Sequence, residues 1–283
     1  MAPAPSDSGL LALLYGTVLG RTLLRPLISR PVSKAAGRFM DSAISRPLIP
    51  RFIRSNGIDM AEYEAETYQS FNAFFTRRIR SEARPMEPDP ERLMAPCDGR
   101  LSVYAIDEDS VFTVKNSRYD VSALLGGDGR AADFVGGTCL VFRLSVDDYH
   151  RYHYLDDGTK EDNHFVPGVL HTVRPIALAH TAVFIQNCRE YTFMRTAHFG
   201  TVAQVEVGAL LVGRISNDQQ SGAFTRGQEK GRFLYGGSTV VLLLQKDAAV
   251  IDERFWRATA RDEETRVKLG EGIGFSQTGG KHA

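Results

Sequence analysis

Short runs of β-branched and aliphatic residues, separated by glycine, asparagine and aspartate, occupy the chain from about residue 93 onward. Such runs predict strands, and few long amphipathic patterns lie between them. Helical patterns are concentrated before residue 90. The sequence therefore predicts an α+β fold, with an N-terminal helical region over residues 1–90 and a β-rich body over residues 91–283. The predicted strand runs are 111–114, 138–144, 182–185, 202–212 and 239–244.

The N-terminal region is divided by prolines and contains two further helix signals. Its prolines predict short helical pieces, because proline interrupts a helix interior. Residues 59–62 (Asp-Met-Ala-Glu) resemble a capping box that opens a helix. Further on, the spacing of Phe71, Phe75 and Ile79 predicts one apolar helical face over residues 71–80. The prolines are Pro26, Pro31, Pro47 and Pro50.

Composition adds size and redox setting to this picture. The chain has 283 residues, 43% of them hydrophobic, and a formal net charge of zero. That is enough for a sizeable core, in one large domain or in one domain with an appended segment. Its three widely spaced cysteines form neither a disulfide framework nor a zinc pattern. We therefore expect a reducing compartment and no structural metal.

The neutral total conceals an excess of cations at the N-terminus. Residues 1–54 carry eight lysines and arginines against two aspartates, and a leucine-rich run over residues 10–19 precedes these cations. The run is too short to span a bilayer, which needs about 20 apolar residues. A short apolar helix followed by spaced arginines suits an interfacial anchor on an anionic membrane. A helix packed on the protein's own core fits equally well, and a cleaved signal peptide is less favoured because no small-residue cleavage site follows.

The run 239–244 follows two glycines and a serine, Gly236-Gly237-Ser238. A hydroxyl after such a turn can be pressed against the preceding carbonyl, so Ser238 Oγ can attack the Gly237 carbonyl once a base removes its proton. A glycine turn that merely enters a core strand is the alternative. The esterase elbow Gly-x-Ser-x-Gly is absent, because Val240 stands where its second glycine belongs.

Two stretches can supply partners for Ser238. Asp98 lies in a proline–glycine turn before a strand, and His150 and His153 lie three residues apart after the run that ends at Leu144. A carboxylate that orients a histidine, which in turn deprotonates a serine, is a general arrangement for activating a hydroxyl. Asp98 can equally be a turn residue. The two histidines can equally be surface residues or metal ligands, although no third and fourth ligand follows them.

These residues fall within an ordered series of motifs. The motifs are Phe71-Asn72-x-Phe74-Phe75, Arg84-Pro85, Pro96-x-Asp98-Gly99, Asp148-Tyr149-His150-Arg151-x-His153, Val207-Gly208-Ala209-x-x-Val212-Gly213, Gly227-Gln228-Glu229-Lys230-Gly231-x-Phe233 and Gly237-Ser238-Thr239. In these motifs and their order, over about residues 45–280, the chain closely resembles the phosphatidylserine decarboxylase family of pyruvoyl-dependent enzymes. Three positions depart from the family pattern. Asn187-Cys188-Arg189 stands for Asn-Glu-Arg, Val212-Gly213-Arg214-Ile215 stands for Val-Gly-Ser-Ile, and Gly236 replaces the common leucine.

The resemblance implies a self-processing triad of Asp98, His153 and Ser238. His153 takes the Ser238 proton, Oγ attacks the Gly237 carbonyl, and β-elimination and hydrolysis convert residue 238 to a pyruvoyl group with loss of ammonia. The products are a β chain (1–237) and an α chain (238–283). The pyruvoyl ketone then forms a Schiff base with the substrate amine and accepts electrons when carbon dioxide leaves, while His150 assists decarboxylation and reprotonation.

The resemblance also implies the substrate and the cellular setting. Phosphatidylserine becomes phosphatidylethanolamine at the cytoplasmic side of a cell membrane, with peripheral association and no metal, added organic cofactor or nucleic acid. A dimer of the α–β pairs is suggested by the family. Arg77 and Arg78 are candidate ligands of the substrate phosphate, because guanidinium groups suit phosphate oxygens; a solvated arginine-rich face is the alternative.

Two other functions fit parts of the sequence. One is a pyruvoyl-dependent decarboxylase of a soluble amino acid, which would be active on free amino acids and indifferent to liposomes. The other is a membrane-associated binding protein that never matures, which the presence of Asp98, His153 and Ser238 together disfavours.

Overall fold

The computed structural model describes residues 9–114, 117–209, 214–235 and 238–277, so that Gly237 and the predicted strand positions 210–212 lie outside the described residues. Helices and strands both contribute, which confirms the α+β class. The helices are α1 (Gly9–Gly16), α2 (Val18–Leu27), α3 (Arg30–Asp41), α4 (Leu48–Asn56), α5 (Phe71–Phe75), α6 (Val121–Leu124), α7 (Pro175–His180), α8 (Val183–Gln186) and α9 (Glu253–Ala260).

Strands follow the helical region, and the first of them begins at Arg92. They are β1 (Arg92–Met94), β2 (Gly99–Ala105), β3 (Val111–Val114), β4 (Ser117–Asp120), β5 (Thr138–Leu144), β6 (Arg151–His153), β7 (Gly158–Lys160), β8 (His164–Val166), β9 (Arg189–Thr196), β10 (Thr201–Val207), β11 (Ile215–Asn217), β12 (Gly222–Phe224), β13 (Glu229–Phe233), β14 (Ser238–Leu244), β15 (Ala249–Ile251), β16 (Thr265–Val267) and β17 (Gly272–Ser276).

The N-terminal helices are short, as the prolines predict. Pro31 stands in the first turn of α3 and Pro47 caps α4, whereas Pro26 lies inside α2, one residue before its end. The capping-box prediction is confirmed for Asp59, whose side chain accepts from the Ala61 N–H and caps a 3-10 turn over Met60–Glu62. It is wrong for Glu62, which binds Arg84 instead of returning to the start of the turn.

Two other sequence predictions need correction. The helix predicted over residues 71–80 ends at Phe75, because the chain then turns so that Ile79 can bridge to Tyr63. The strand predicted at 182–185 is the helix α8, which buries Val183 and Phe184. An apolar run of four residues satisfies a buried strand and a buried helical turn equally well.

The described strands are organised around a large antiparallel sheet, in which the spatial order is β12-β7-β9-β10-β14-β5-β2-β16, and β8 also pairs with β9. Strand β14 lies between β10 and β5 and is hydrogen-bonded to both. All seven of its residues are buried. This explains why its sequence is an unbroken apolar run and does not alternate with polar residues.

Two hydrophobic cores cover the two faces of this sheet. One core contains Val241 and Leu243 and packs against α6, α7 and α8, together with Leu14, Tyr15 and Leu24 of the first helices. The other core contains Val240 and Leu242 and packs against β1, β6, β13 and α9. Successive side chains of β14 therefore enter the two cores alternately, and both cores are apolar.

Candidate active site

Ser238, the candidate nucleophile, is the first residue of the central strand β14. It pairs with Leu144 of β5, and its side chain is fully buried. Since side chains alternate along a strand, Ser238 lies on the same face as Val240. Its hydroxyl is therefore withdrawn from water at the end of a strand that is held on both sides.

His150 is the histidine that the structure brings into contact with Ser238. Its Nδ1 lies 3.3 Å from Ser238 Oγ, and its Nε2 lies 3.0 Å from the carbonyl oxygen of Ser145. Burial, together with the charge of Arg77, lowers the pKa of His150 from 6.5 to about 3, so the ring is neutral near pH 7. Because a carbonyl oxygen only accepts, Nε2 carries the proton and Nδ1 offers a lone pair to the serine hydroxyl.

Aromatic residues of α5 and the segment before Ser238 enclose this contact. The Phe75 ring stacks on the His150 ring with centroids 4.1 Å apart, and Tyr235 packs edge-on against Phe75. Asn72 Oδ1 accepts a hydrogen bond of 3.0 Å from the backbone N–H of Tyr235, and Asn72 Nδ2 donates to Asp41 at 2.8 Å. Helix α5 thus positions both the ring beside the histidine and the chain that leads to the serine.

His153 lies on β6, where its backbone N–H donates to the carbonyl of Pro96 at 2.8 Å. Its Nδ1 is buried and has no hydrogen-bond partner. Burial and the charge of Arg151 lower the pKa of His153 to about 4, against an opposing effect of Asp98. His153 is therefore a second neutral imidazole, but no described hydrogen bond joins it to Ser238 or to Asp98.

Asp98 is buried and is held by Arg84. The guanidinium donates from Nε to Oδ1 at 2.8 Å and from Nη2 to Oδ2 at 2.6 Å, and the backbone N–H of Leu269 adds a third bond to Oδ1 at 2.8 Å. A bidentate pair of this kind fixes the plane of the carboxylate. The predicted triad is thus divided in this structure, with Ser238 against His150 and Asp98 against Arg84.

The two candidate phosphate ligands differ in exposure. Arg78 is exposed, whereas the Arg77 side chain is 1% exposed and lies over the rings of Tyr63 and Phe74, with its Nη2 donating to the Tyr63 hydroxyl at 2.9 Å. Arg77 Nε has no hydrogen-bond partner, and no described carboxylate forms an ion pair with the group. A buried cation with an unused donor is costly unless a ligand or aromatic faces compensate for it.

The turn at residues 145–148, just before His150, has a role that was not predicted from the sequence. The backbone N–H of Ser145 donates to Asp148 Oδ2 at 2.7 Å, and the same residue presents its carbonyl to His150. Burial raises the pKa of Asp148 to about 6. The spacing Ser145-x-x-Asp148 is a capping pattern that indicates such a turn. The turn selects the tautomer of His150.

Neither cysteines nor histidines form a metal-binding group in the part of the chain that the structure describes. Cys97, Cys139 and Cys188 are buried and free. Over the same ranges, no cluster of three or more histidine, cysteine, aspartate and glutamate side chains is suited to a metal ion.

We expect the two buried histidines to make the protein less stable in mild acid. The unfolded chain takes up a proton at each near pH 6.5, whereas the folded chain does so only near pH 4 for His153 and pH 3 for His150. The contribution of each histidine to the free energy of unfolding should therefore fall as the pH decreases below about 6.5, by up to about 1.4 kcal/mol per pH unit. Asp148 offsets part of this loss, because its raised pKa lets the folded chain take up a proton there before the unfolded chain does.

Urea unfolding of the Ser238→Ala chain at about pH 7 and about pH 5 measures this change in stability. In the additional variant His150→Gln, the loss of stability between the two pH values should be smaller. An equal loss in both proteins would show that His150 is not buried as a neutral ring.

A buried hydroxyl set against a neutral imidazole is typical of an enzyme with an activated serine. Within the α+β fold, this pair therefore indicates an enzyme whose chemistry begins at Ser238. The phosphatidylserine decarboxylase family model matches residues 71–275. The chain belongs to the phosphatidylserine decarboxylase family, which consists of carboxy-lyases.

Curated relatives agree over almost the whole chain. Phosphatidylserine decarboxylase proenzyme 2 of Clostridium acetobutylicum is 44% identical over 268 residues, which cover 94% of this chain and 92% of the relative. The phosphatidylserine decarboxylase proenzyme of Ruminiclostridium cellulolyticum is 38% identical, covering 94% and 90%. That of Clostridium novyi is 37% identical, covering 92% and 90%.

Proposed function

We propose that this chain is a proenzyme that converts Ser238 to a pyruvoyl group and then decarboxylates phosphatidylserine to phosphatidylethanolamine. The observation that carries the proposal is the fully buried Ser238 hydroxyl, 3.3 Å from Nδ1 of a neutral histidine. Family membership supplies the substrate. Cleavage divides the chain into residues 1–237 and 238–283.

Self-processing needs a base for the serine proton, and two neutral imidazoles are available. We assign His153 as the base of the processing step, oriented by Asp98, as the resemblance implies. The contact between His150 Nδ1 and Ser238 Oγ supports a second role for His150, which is to hold the hydroxyl in place before the proton moves. For His153 to reach the serine, the site must rearrange during the reaction or His150 must relay the proton.

The residues around Ser238 fit a pyruvoyl group. The position is buried and faces an imidazole nitrogen that can exchange a proton. When formed, the group supplies a carbonyl that binds the substrate amine and accepts electrons as carbon dioxide leaves. Phe75 and Tyr235 exclude water, and His150 is placed to return a proton to the substrate carbon. Arg77 and Arg78 remain the proposed phosphate ligands.

The exposed apolar residues of the helical region support a lipid substrate over a soluble amino acid. One face of the first helices packs on the protein core through Leu14, Tyr15 and Leu24. Other large apolar side chains of the region face solvent, beside exposed cations and a single described aspartate up to residue 54. The exposed apolar residues are Leu13, Leu23, Val32, Phe39, Ile44 and Leu48; the exposed cations are Arg25, Lys34, Arg38, Arg46, Arg51 and Arg54.

This surface suits peripheral binding to an anionic bilayer, in which each cation near the surface contributes about 1 kcal/mol. No helix within the described ranges has both the length and the apolar character needed to cross a bilayer. We place the protein on the cytoplasmic side, where anionic lipids and free thiols are both found. The boundary near residue 90 and the dimer of α–β pairs stay predictions.

We expect the exposed leucines and isoleucine to control activity on vesicles. The triple variant Leu13→Gln, Leu23→Gln and Ile44→Gln should bind anionic vesicles at least about 10-fold more weakly, because partial burial of each side chain in lipid contributes on the order of 1 kcal/mol. Phosphatidylethanolamine formation from vesicles should fall in parallel, while turnover of a short-chain, water-soluble phosphatidylserine stays at the wild-type rate.

The matched control replaces three equally exposed apolar residues elsewhere on the surface, Phe165, Val250 and Phe275, with glutamine. This control should leave vesicle activity unchanged. Equal losses in both triple variants would show that the helical region is not the membrane-binding surface. If the protein turns over free amino acids but neither the vesicle lipid nor the short-chain lipid, its substrate is a soluble amino acid and not phosphatidylserine.

A further inference from the structure

We propose that Arg84 is a positioning residue of self-processing, which presents the Asp98 carboxylate to His153. This inference rests on the proposed function, because it concerns the cleavage that produces the pyruvoyl group. The observation behind it is the divided triad, in which Asp98 is bound by Arg84 while His153 Nδ1 is buried without a partner.

The hydrogen bonds of Asp98 leave room for one further donor. Its two oxygens offer about four lone-pair sites in total. Arg84 Nε and the Leu269 N–H both donate to Oδ1, whereas Oδ2 accepts from Arg84 Nη2. One site on Oδ2 is therefore free. The backbone ties His153 to this segment, because its N–H donates to the carbonyl of Pro96, two residues before Asp98, at 2.8 Å.

The guanidinium of Arg84 is itself held in a fixed orientation. Its remaining nitrogen, Nη1, donates to Glu62 Oε2 at 3.0 Å and to the backbone carbonyl of Ala83 at 2.8 Å. Arg84 and Asp98 are each about 5% exposed, so water does not compete for the hydrogen bonds between them. Arg84 thus orients the carboxylate plane from one side and leaves the free site of Oδ2 for an imidazole N–H.

This arrangement gives Arg84 a defined effect on the histidine. An N–H at Nδ1 of His153 bonded to Asp98 leaves Nε2 as the acceptor, which is the tautomer that a base requires. Without Arg84, Asp98 is free to rotate or to pair with another cation, and His153 loses its fixed tautomer. Loss of Arg84 should therefore slow the cleavage step.

The test is the rate of cleavage of newly synthesised full-length chain, followed by intact mass. Arg84→Ala should be cleaved about 10–100-fold more slowly than wild type, as expected when a group that orients another is removed. Guanidinium ion added to Arg84→Ala should restore a substantial part of the rate. Arg84→Lys should be slowed as well, because an ammonium cannot make the paired contact.

The matched control is Arg143→Ala, which removes another buried guanidinium, one that binds both oxygens of Glu264. Arg143→Ala should lower the melting temperature, and added guanidinium ion should not change its rate of cleavage. Arg84→Ala cleaved at the wild-type rate would overturn the inference, as would a slow rate that guanidinium does not restore. If Arg84→Ala does not fold, Arg84→Lys decides by the same comparison with wild type. A wild-type chain that is never cleaved would instead refute the proposed function.

Discussion

Replacement of Ser238 by alanine should leave one uncleaved chain with no decarboxylase activity. In the proposed reaction Oγ is the atom that attacks the preceding carbonyl, and alanine has no atom that can replace it in the contact with His150 Nδ1. The wild-type protein should give two chains under denaturing conditions, residues 1–237 and residues 238–283 with a pyruvoyl group in place of the N-terminal serine. Intact mass spectrometry distinguishes the two results, and phosphatidylethanolamine formation reports the activity.

Thr239→Val is the matched control for this experiment. Thr239 is also fully buried, its hydroxyl has no hydrogen-bond partner, and valine preserves its shape. The Thr239→Val chain should be cleaved as wild type is. Cleavage of Ser238→Ala, or cleavage at another bond in wild type, would rule out Ser238 as the nucleophile.

Substitution of the two histidines should separate cleavage from decarboxylation. His153→Ala should remain uncleaved, because it loses the proposed base. His150→Ala should still be cleaved, more slowly because the hydroxyl loses its partner. Its cleaved form should turn over phosphatidylserine about 10²–10⁴-fold more slowly, the usual effect of removing a general acid or base. Cleavage by mass and turnover per pyruvoyl group are measured on the same preparations.

The contact between His150 and Ser238 makes His150 the alternative candidate for the processing base. If His150→Ala stays uncleaved and His153→Ala matures normally, His150 is the processing base and the roles are exchanged. Phe75→Leu serves as the control, because it removes the ring stacked on His150 but neither imidazole. It should reduce both rates moderately and abolish neither.

Much of the fold could be predicted from local patterns. The runs at 138–144 and 239–244 match β5 and β14, because long apolar runs with β-branched residues have few alternatives. The short run at 111–114 matches β3 as well. The run at 182–185 was ambiguous, because four residues do not span enough of either period. The early end of α5 depends on the bridge between Tyr63 and Ile79, a tertiary contact with no local signal.

The site was predictable in its residue types but not in its pairing. The sequence selects Ser238, His150, His153 and Asp98, and a resemblance assigns them roles. Which imidazole faces the serine depends on the Ser145 turn and on the stacking of Phe75, neither of which spacing in the chain can reveal. Packing likewise decides that Arg77 is buried and Arg78 is exposed, although the two are adjacent in the sequence.

The position of β14 between two partner strands has a consequence for the lifetime of the mature enzyme. Both neighbours, β10 and β5, belong to the longer fragment, as do β1 and β2, which pair with β17 and β16. After cleavage, this strand pairing and other non-covalent contacts, such as that between the Leu269 N–H and Asp98, hold the two fragments together. Once they unfold they separate, and reassembly becomes a second-order process that depends on concentration. The chain can thus fold by an intramolecular route only once, before it matures, and afterwards its survival is set by the rate at which it unfolds.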